Sequence, residues 1–273
     1  SPEGARDFLV PSRVHKGKFY ALPQAPQQFK QMIMIAGFDK YFQIAPCFRD
    51  EDGRADRSPG EHYQLDMEMS FVEQEDIFKT VEPIFFDLFT EFGKNKKINK
   101  FPFKRISFKD SMSKYGTDKP DLRNPLEITD HTKLFKSDEV KLDIFKRNID
   151  SGGIVKGIVV KNISDKPRSF FDNLNKWAID SGAKGLAYIT FEKDKNKITG
   201  KGPIAKFFSQ NALNSLIKET NVSPNDCIFF ISDKHNEAIK FAGLVRTKIG
   251  TDLKLIDEDQ FSFCWIVDFP MYQ

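Results

Sequence analysis

The sequence predicts an α+β protein in which a smaller α+β domain interrupts a larger one. Early in the chain, strand-like segments with period-two alternation join into hairpins and neighbour amphipathic helices. From about residue 127 to about residue 232, strands and helices alternate with their own apolar content. A helix at 234–249 then leads to a final strand at 263–269, so two domains fit the 273 residues better than one.

The first predicted elements are a hairpin and a short helix. Segments 8–10 and 19–22 flank a turn-rich stretch and predict paired strands. Pro26 opens the helix, because proline fits a first helical turn, and Gly37 ends it. The expected buried stripe of this helix comprises Phe29, Met32, Ile33 and Ala36.

Residues 48–71 form the most informative segment. They follow a strand-like run at 41–48, and a highly charged loop joins the two strands into a hairpin. In the second strand, polar residues alternate with Leu65, Met67, Met69 and Phe71; the polar set is Gln64, Asp66, Glu68 and Ser70. Arg49 shares its side of the first strand with Gln43. The combined surface suits a ligand that carries a phosphate, an amine and a metal ion.

Each charged residue of this hairpin also has a simpler interpretation. Arg49 alone is better explained by a surface salt bridge with Asp50 or Asp52, and Asp66 or Glu68 alone by a solvated strand face. Considered together, the arginine, the two acids and Gln64 favour a binding site. On the preceding helix, Gln27 and Lys30 lie three residues apart and therefore share a face away from the predicted stripe.

Further elements are predicted from apolar periodicity and β-branched content. They are helices at 74–92, 169–181 and 203–220 and strands at 154–160, 185–191 and 227–231. The sequence has no phosphate-binding loop of the Gly-Lys-Ser/Thr kind and no dinucleotide glycine fingerprint.

Composition narrows the class of protein. The 42 basic and 39 acidic residues leave a net charge of only +3, so a polyanion would need a local basic patch. Cys47, Cys227 and Cys264 lie far apart without metal-ligand spacing, which predicts a reducing, cytoplasmic location. No apolar run reaches the length of a membrane span, so we expect no membrane partner.

Several long motifs resemble bacterial-type aspartyl-tRNA synthetase. They include Ser1-Pro2-Glu3-Gly4-Ala5-Arg6-Asp7-Phe8, residues 21–31, Phe48-Arg49-Asp50-Glu51-Asp52, residues 115–123, residues 182–188 and residues 267–271. That family belongs to the class II aminoacyl-tRNA synthetases, whose catalytic domain is an antiparallel sheet flanked by helices. The resemblance implies a catalytic domain in 1–126 that continues, truncated, in 233–273, with a bacterial-type insertion domain at 127–232.

The resemblance also implies an aspartate–tRNA ligase that forms a cytoplasmic homodimer. L-aspartate attacks the α-phosphorus of ATP, giving aspartyl-adenylate and pyrophosphate, and the terminal ribose hydroxyl of tRNA(Asp) then takes the aspartyl group. Positioning and charge neutralisation dominate such chemistry. The sequence leaves open whether tRNA(Asn) is charged too.

On the aspartate side, the resemblance places Glu3 in a loop that closes over the amino acid. Gln27 and Asp66 would hold the amino group. Lys30 would pair with the side-chain carboxylate and so select aspartate over its amide. Gln64 and Glu68 would complete the hydrogen-bond network.

On the ATP side, Arg49 would be the catalytic residue, bridging the α-phosphate and the aspartate carboxylate. The further ATP-binding positions would be Asp50, Glu51, Ser58 and His62, with Glu51 near the adenine or the tRNA end. Mg²⁺ is implied by ATP, but the acids that bind it in this family lie mainly beyond residue 273, so no metal ligand is expected in this chain.

Four positions depart from the family pattern. Ala25 stands where many relatives have Ser, and Ser58 stands where others have Gln. Gly60 is a one-residue insertion, and His62 replaces an aromatic residue that stacks on adenine. Weaker or pH-sensitive ATP binding is therefore a hypothesis for His62.

The ends of the chain suggest a piece of a larger protein, because it opens on site-like sequence and stops just after a strand. We expect this piece alone to be inactive, since the anticodon-binding barrel and the first and third class II motifs are not in it. Two alternatives remain. One is a tRNA-independent class II relative such as an ammonia-dependent asparagine synthetase, against which the large insertion argues. The other is a non-catalytic RNA-binding fragment, against which the intact site set argues.

Overall fold

The computed structural model describes residues 5–51, 59–195 and 197–272. The chain divides into two compact units, Ser1–Val81 and Glu82–Gln273. The domain boundaries expected near residues 126 and 232 stay a prediction. Within the described ranges, every helix is too short or too polar to cross a lipid bilayer.

The first unit is built from two antiparallel hairpins and a short helix. Its elements are β1 (Leu9–Pro11), β2 (Phe19–Ala21), α1 (Gln27–Ile35), β3 (Lys40–Phe48) and β4 (Glu61–Met69). β1 pairs with β2 and β3 with β4, so both predicted hairpins are confirmed. Pro46 is tolerated inside β3 because a two-stranded hairpin leaves one edge of each strand without a ladder partner.

Helix α1 has the predicted ends but not the predicted buried stripe. Pro26 precedes it, and Gly37 beyond its end has a φ of +93°. Phe29 and Met32 are 72% and 66% exposed, so the stripe prediction is wrong. At roughly 100° per residue, both side chains lie ~100° or more around the helix from Lys30, and it is Lys30 that α1 turns toward β4.

The second unit contains most of the regular structure. Helix α2 (Gln74–Phe92) has the predicted bounds, and the boundary between the units falls within its residues. The later elements are β5 (Lys97–Ile98), β6 (Lys104–Ser107), α3 (Phe108–Tyr115), β7 (Ile128–Asp130), α4 (Thr132–Lys136), α5 (Asp143–Asp150), β8 (Gly153–Val160), α6 (Arg168–Asp180), β9 (Ala187–Asp194), β10 (Lys197–Lys201), a 3-10 turn (Ala205–Phe207), α7 (Gln210–Thr220), β11 (Cys227–Lys234), α8 (His235–Asp252), β12 (Gln260–Phe261) and β13 (Cys264–Val267).

A five-stranded antiparallel sheet in the order β10-β9-β11-β8-β7 is the centre of the second unit. β11 is buried on both faces. Cys227, Phe229 and Ile231 join one apolar cluster with α6 and α8, whereas Ile228 and Phe230 join another with α7. Burial on both faces explains why β11 is a continuous apolar run in the sequence. The fold is therefore mixed helix and strand around antiparallel sheet, with two small parallel pairs, β12 with β5 and β13 with β6.

The predicted helix at 203–220 is broken. Residues 205–207 form the 3-10 turn, and α7 starts anew after Ser209, whose Oγ accepts a hydrogen bond from the Ala212 N–H at 3.1 Å. A serine that caps a helix N-terminus satisfies one of its free donors and fixes where it begins. The prediction therefore merged two elements.

Arg246 of α8 is a buried cation inside the second unit. It is 2% exposed, and its guanidinium lies 4.9 Å from the centre of the Tyr115 ring. It donates hydrogen bonds to three backbone carbonyls: Leu126 at 2.6 Å, Asp121 at 2.9 Å and Asn124 at 2.8 Å. One side chain thus fixes the 121–126 segment against α8.

Candidate functional site

The register of the β3–β4 hairpin places its polar residues on one face. Gln43 lies opposite Asp66, Tyr41 opposite Glu68 and Ala45 opposite Gln64. Because directly paired residues of antiparallel strands point to the same side, these side chains form a single surface. The period-two prediction is confirmed as far as Met69, but it is wrong for Ser70 and Phe71, which lie beyond the end of β4, where Phe71 has a φ of +56°.

Lys30 of α1 lies over this surface between two carboxylates. Its Nζ is 3.0 Å from Asp66 Oδ1 and 2.8 Å from Glu68 Oε1. The Lys30 and Asp66 side chains are only 12% and 9% exposed. Burial by itself lowers the pKa of the Lys30 ammonium, but the hydrogen bonds and charges of Glu68 and Asp66 outweigh it and raise the pKa above its ordinary value. Lys30 is therefore a fixed, positively charged centre.

Asp66 retains an unused acceptor. Its Oδ1 accepts from Lys30, whereas its Oδ2 is buried and has no hydrogen-bond partner among the described residues. The alternative that Asp66 sits on a solvated strand face is wrong, because α1 covers it. A buried carboxylate oxygen without a donor is costly unless a ligand supplies one.

A cavity of about 470 Å³ adjoins this cluster. Its lining residues are Gln27, Lys30, Gln31, Met34, Ile35 and Glu68. Gln27 and Lys30 thus reach the same space from one face of α1, as their spacing predicts. The cavity has the size of a small-ligand site and combines an amide, a cation and a carboxylate.

Arg49, just after β3, is held at a second position of the same hairpin. Its Nη2 donates to Gln64 Oε1 at 3.3 Å and its Nε to the Gln24 carbonyl at 3.3 Å. The alternative salt bridge with Asp50 is not formed, and Asp52 lies outside the described residues. Within the described part of the chain, the guanidinium has amide partners only, so its charge is not neutralised.

Gln24 supports Arg49, and sequence reasoning missed it. It is 1% exposed, its Nε2 donates to the Ala5 carbonyl at 2.8 Å and to Asp7 Oδ1 at 2.6 Å, and its Oε1 accepts from the Ala5 N–H at 3.2 Å. Both side-chain hydrogen-bonding atoms of this amide thus have partners, on the Ala5 backbone and the Asp7 carboxylate. Its place between Pro23 and Pro26, where backbone donors are scarce, was the available signal.

The other predicted ATP-side residues are not joined to the Lys30 cluster. Asp50 and Glu51 have exposed side chains; the backbone of Asp50 exchanges hydrogen bonds with Arg6. His62 lies opposite Cys47, and its Nδ1 is buried without a partner in the described residues. Glu3 and Ser58 lie outside the described residues. No three His, Cys, Asp or Glu side chains in the described ranges come together as a metal site.

The geometry supports binding of a ligand with charges of both signs. The free oxygen of Asp66 suits an ammonium group, Lys30 suits a carboxylate, and Arg49 suits a phosphate or a second carboxylate. Gln27 adds an amide group beside Lys30, and Gln64 adds one beside Arg49.

Comparisons with known proteins found one family model and several similar proteins. A family model described as tRNA synthetases class II (D, K and N) matches residues 1–273. A relative from Pelagibacter ubique, named aspartate–tRNA(Asp/Asn) ligase, is 61% identical over 274 residues that cover 100% of this chain and 46% of the relative. Relatives with the same name from Methylorubrum populi and Rickettsia prowazekii are 58% and 57% identical over 273 residues, covering 100% of this chain and 45% and 44% of their own. The chain spans about half the length of the curated relatives it matches.

Proposed function

Because the chain belongs to the class II tRNA synthetase family for D, K and N, we propose that it forms the aspartate- and ATP-binding part of an aspartate–tRNA ligase. The observation that carries this proposal is the buried Lys30 between Asp66 and Glu68, beside an Asp66 oxygen without a donor. The names of the relatives support tRNA(Asp) and tRNA(Asn) as acceptors. They favour this function over ammonia-dependent asparagine synthesis and over a non-catalytic RNA-binding fragment.

L-aspartate fits the unused groups of the site. A lysine ammonium has three donors, and in Lys30 two of them go to Asp66 and Glu68. The third is left for the side-chain carboxylate of the ligand. Asp66 Oδ2 accepts from the ligand ammonium, and Gln27, which lines the cavity, adds its amide oxygen.

The charge of Lys30 gives selectivity among the amino acids of this family. A lysine substrate brings a second cation toward Lys30, and an asparagine substrate offers an amide in place of a carboxylate. A hydrogen bond to a charged group contributes about 1.5–3 kcal/mol, so we expect roughly 10- to 100-fold discrimination against asparagine from this contact.

In the activation step, Arg49 stabilises developing charge. It faces the α-carboxylate of aspartate and the α-phosphate of ATP, where the carboxylate oxygen attacks phosphorus and pyrophosphate leaves. Gln64 and the Gln24 carbonyl hold its guanidinium in place before the substrates arrive. Asp50, Glu51, Ser58 and His62 complete the proposed ATP side. ATP brings Mg²⁺, and we assign no residue of this chain to it.

In the second step, the terminal ribose hydroxyl of the tRNA attacks the adenylate carbonyl, and AMP leaves. Glu3 closes over aspartate in this proposal, and Glu68 keeps Lys30 oriented. The complete enzyme acts as a cytoplasmic homodimer.

Substitution of Lys30 tests the proposed function. Pyrophosphate exchange is measured with aspartate and with asparagine, using the complete gene product and its Lys30→Gln variant. We expect kcat/KM for aspartate to fall at least about 100-fold and the preference for aspartate over asparagine to narrow. The matched control is Lys79→Gln, an exposed lysine whose ion-pair distance to Asp76 is 3.8 Å.

Two results would overturn the proposal. One is wild-type protein that charges neither tRNA(Asp) nor tRNA(Asn). The other is a folded Lys30→Gln variant whose aspartate activation matches that of Lys79→Gln.

A further inference from the structure

A second cavity, of about 580 Å³, lies in the second unit and is not used by the proposed reaction. Its walls come from α5, α6, the start of β9 and the end of β11. They are mainly apolar and partly aromatic, with Phe145, Phe171, Leu186 and Tyr188 among them. Its volume lies within the usual range of small-molecule sites.

β10 pairs with only part of β9. The pairing of β10 with β9 ends at Lys201 and Thr190. Gly202 follows, with a φ of +120°, and a Cβ there would come 3.0 Å from the Tyr188 carbonyl oxygen. The start of β9, with Ala187 and Tyr188, is left lining the opening.

Two asparagines give this wall a specific polar character. Asn175 Oδ1 accepts from the Leu186 N–H at 2.8 Å, so the amide nitrogen of Asn175 has no partner among the described residues and can donate. Asn148 Nδ2 donates to Ser232 Oγ at 2.9 Å, which leaves its Oδ1 as an acceptor. A donor and an acceptor beside aromatic walls match the edge of a nucleobase.

Two cations also line the cavity. Arg147 is exposed and forms no ion pair within the described part of the chain. Lys184 is also in the lining; its side chain is 67% exposed and its Nζ is 2.7 Å from Asp233 Oδ1. The carboxylate of Asp172, which also lines the cavity, is 3.6 Å from Arg168. The lining is therefore suited to an anionic group.

We propose that this cavity binds a single nucleotide, with the base against the aromatic wall and the Asn148 and Asn175 amides and the phosphate at Arg147 and Lys184. Stacking surfaces combined with cations are the usual means of binding unpaired nucleotides. The chemistry of the cavity fits a free nucleotide and an unpaired nucleotide of an RNA equally. That the nucleotide belongs to an RNA rests on the proposed function.

Fluorescence anisotropy with a labelled 12-nucleotide single-stranded RNA tests the proposal, with AMP, inorganic polyphosphate and a poly-glutamate peptide as competitors. We expect Arg147→Gln to weaken RNA binding about tenfold. The matched control is Lys146→Gln on the same helix, which removes the same charge from a lysine outside the cavity, 3.6 Å from Asp138. It should weaken binding less than twofold.

A second variant, Asn175→Asp, removes the proposed donor to the base and adds one negative charge, so its effect on RNA and AMP is compared with its effect on polyphosphate. It keeps the oxygen that accepts from Leu186 but replaces the free donor by a carboxylate oxygen. We expect it to weaken RNA and AMP more than polyphosphate. Competition by AMP at micromolar concentration identifies a free nucleotide as the ligand, whereas competition by RNA alone identifies RNA.

The proposal is overturned if Arg147→Gln and Lys146→Gln behave alike, if polyphosphate or the peptide competes as well as RNA, or if no probe binds. Pyrophosphate exchange with aspartate is measured on the same variants of the complete gene product. Exchange without cavity-dependent binding removes this inference and leaves the proposed function. Cavity-dependent binding without exchange leaves nucleotide binding at this cavity and removes the proposed function.

Discussion

Gly116 and Gly243 lie in backbone contact within the second unit. A Cβ on Gly243 would come 2.7 Å from the Gly116 carbonyl oxygen, and one on Gly116 would come 2.6 Å from Gly243 Cα. Gly116 caps α3 in the left-handed region with a φ of +71°. Both glycines are therefore required for α3 to end against α8.

We predict that Gly243→Ala destabilises the protein by about 2 kcal/mol, within the usual cost of overpacking. Alanine is the better helix former by roughly 1 kcal/mol, so a loss of stability means that the steric clash outweighs helix propensity. Urea unfolding measures the change. Gly17→Ala is the comparison, because Gly17 has a φ of +75° with nothing within 4 Å and reports backbone strain alone. A Gly243→Ala protein as stable as the wild type would contradict the contact.

Arg246→Met is predicted to destabilise the second unit by about 3 kcal/mol or more. The change leaves three backbone carbonyls without their donor, and unmade buried hydrogen bonds are expensive. Thermal unfolding is the measurement. The control is Arg168→Met, an arginine that is exposed and loosely paired with Asp172, which should shift the free energy of unfolding by less than about 0.5 kcal/mol. Equal effects of the two changes would rule out this role of Arg246.

The free energy of unfolding should decrease as the pH is lowered, because of His131. Burial, opposed by the charge of Asp130 and assisted by that of Lys156, lowers the pKa of His131 from 6.5 to about 4. The unfolded chain therefore binds a proton more readily than the folded one. The stabilisation is full above pH 6.5 and is lost as the pH falls toward 4, by about 3 kcal/mol in all.

Urea unfolding between pH 4 and 7 tests this prediction in His131→Phe, which keeps a ring beside Phe230, 5.7 Å away between ring centroids. The variant should lose most of the pH dependence in this window. His235→Gln, a change at an exposed histidine, should keep it. A His131→Phe protein with the full wild-type pH dependence would show that other groups are responsible.

His62→Phe is predicted to tighten ATP binding about threefold in the complete gene product, because a phenyl ring stacks on adenine with more area than imidazole. The change also removes a buried Nδ1 that has no partner in the described residues. Equilibrium binding of ATP measures the effect, with Tyr63→Phe on the opposite strand face as control. An unchanged or weaker affinity would remove His62 from the proposed adenine site.

The site was predictable where spacing determines direction. Asp66 and Glu68 are two residues apart on a strand, and Gln27 and Lys30 are three apart on a helix, so each pair had to share a face. That the two faces meet was implied by the family resemblance. The unused oxygen of Asp66 was not predictable, because it depends on which donors three-dimensional packing leaves nearby.

The helices were predictable where they are long and amphipathic, as α2 is. Short elements such as α4 and β7 contain too few residues to show a period. The prediction of a buried apolar stripe on α1 was wrong because the ion pairs of Lys30, rather than apolar periodicity, decide which side of this helix faces the strands. Arg246 gave no signal, since an arginine in a helix is ordinarily at the surface.

The Arg246 contacts have a consequence for how the chain folds during synthesis. The carbonyls of Leu126, Asn124 and Asp121 are 120, 122 and 125 residues away from their donor. These carbonyl groups therefore leave the ribosome long before Arg246 is synthesised. Until then, water must donate their hydrogen bonds. Contacts of such long sequence separation close late. Final locking of the second unit thus waits for α8, so a nascent chain stalled before residue 246 should remain accessible to proteases at 121–126.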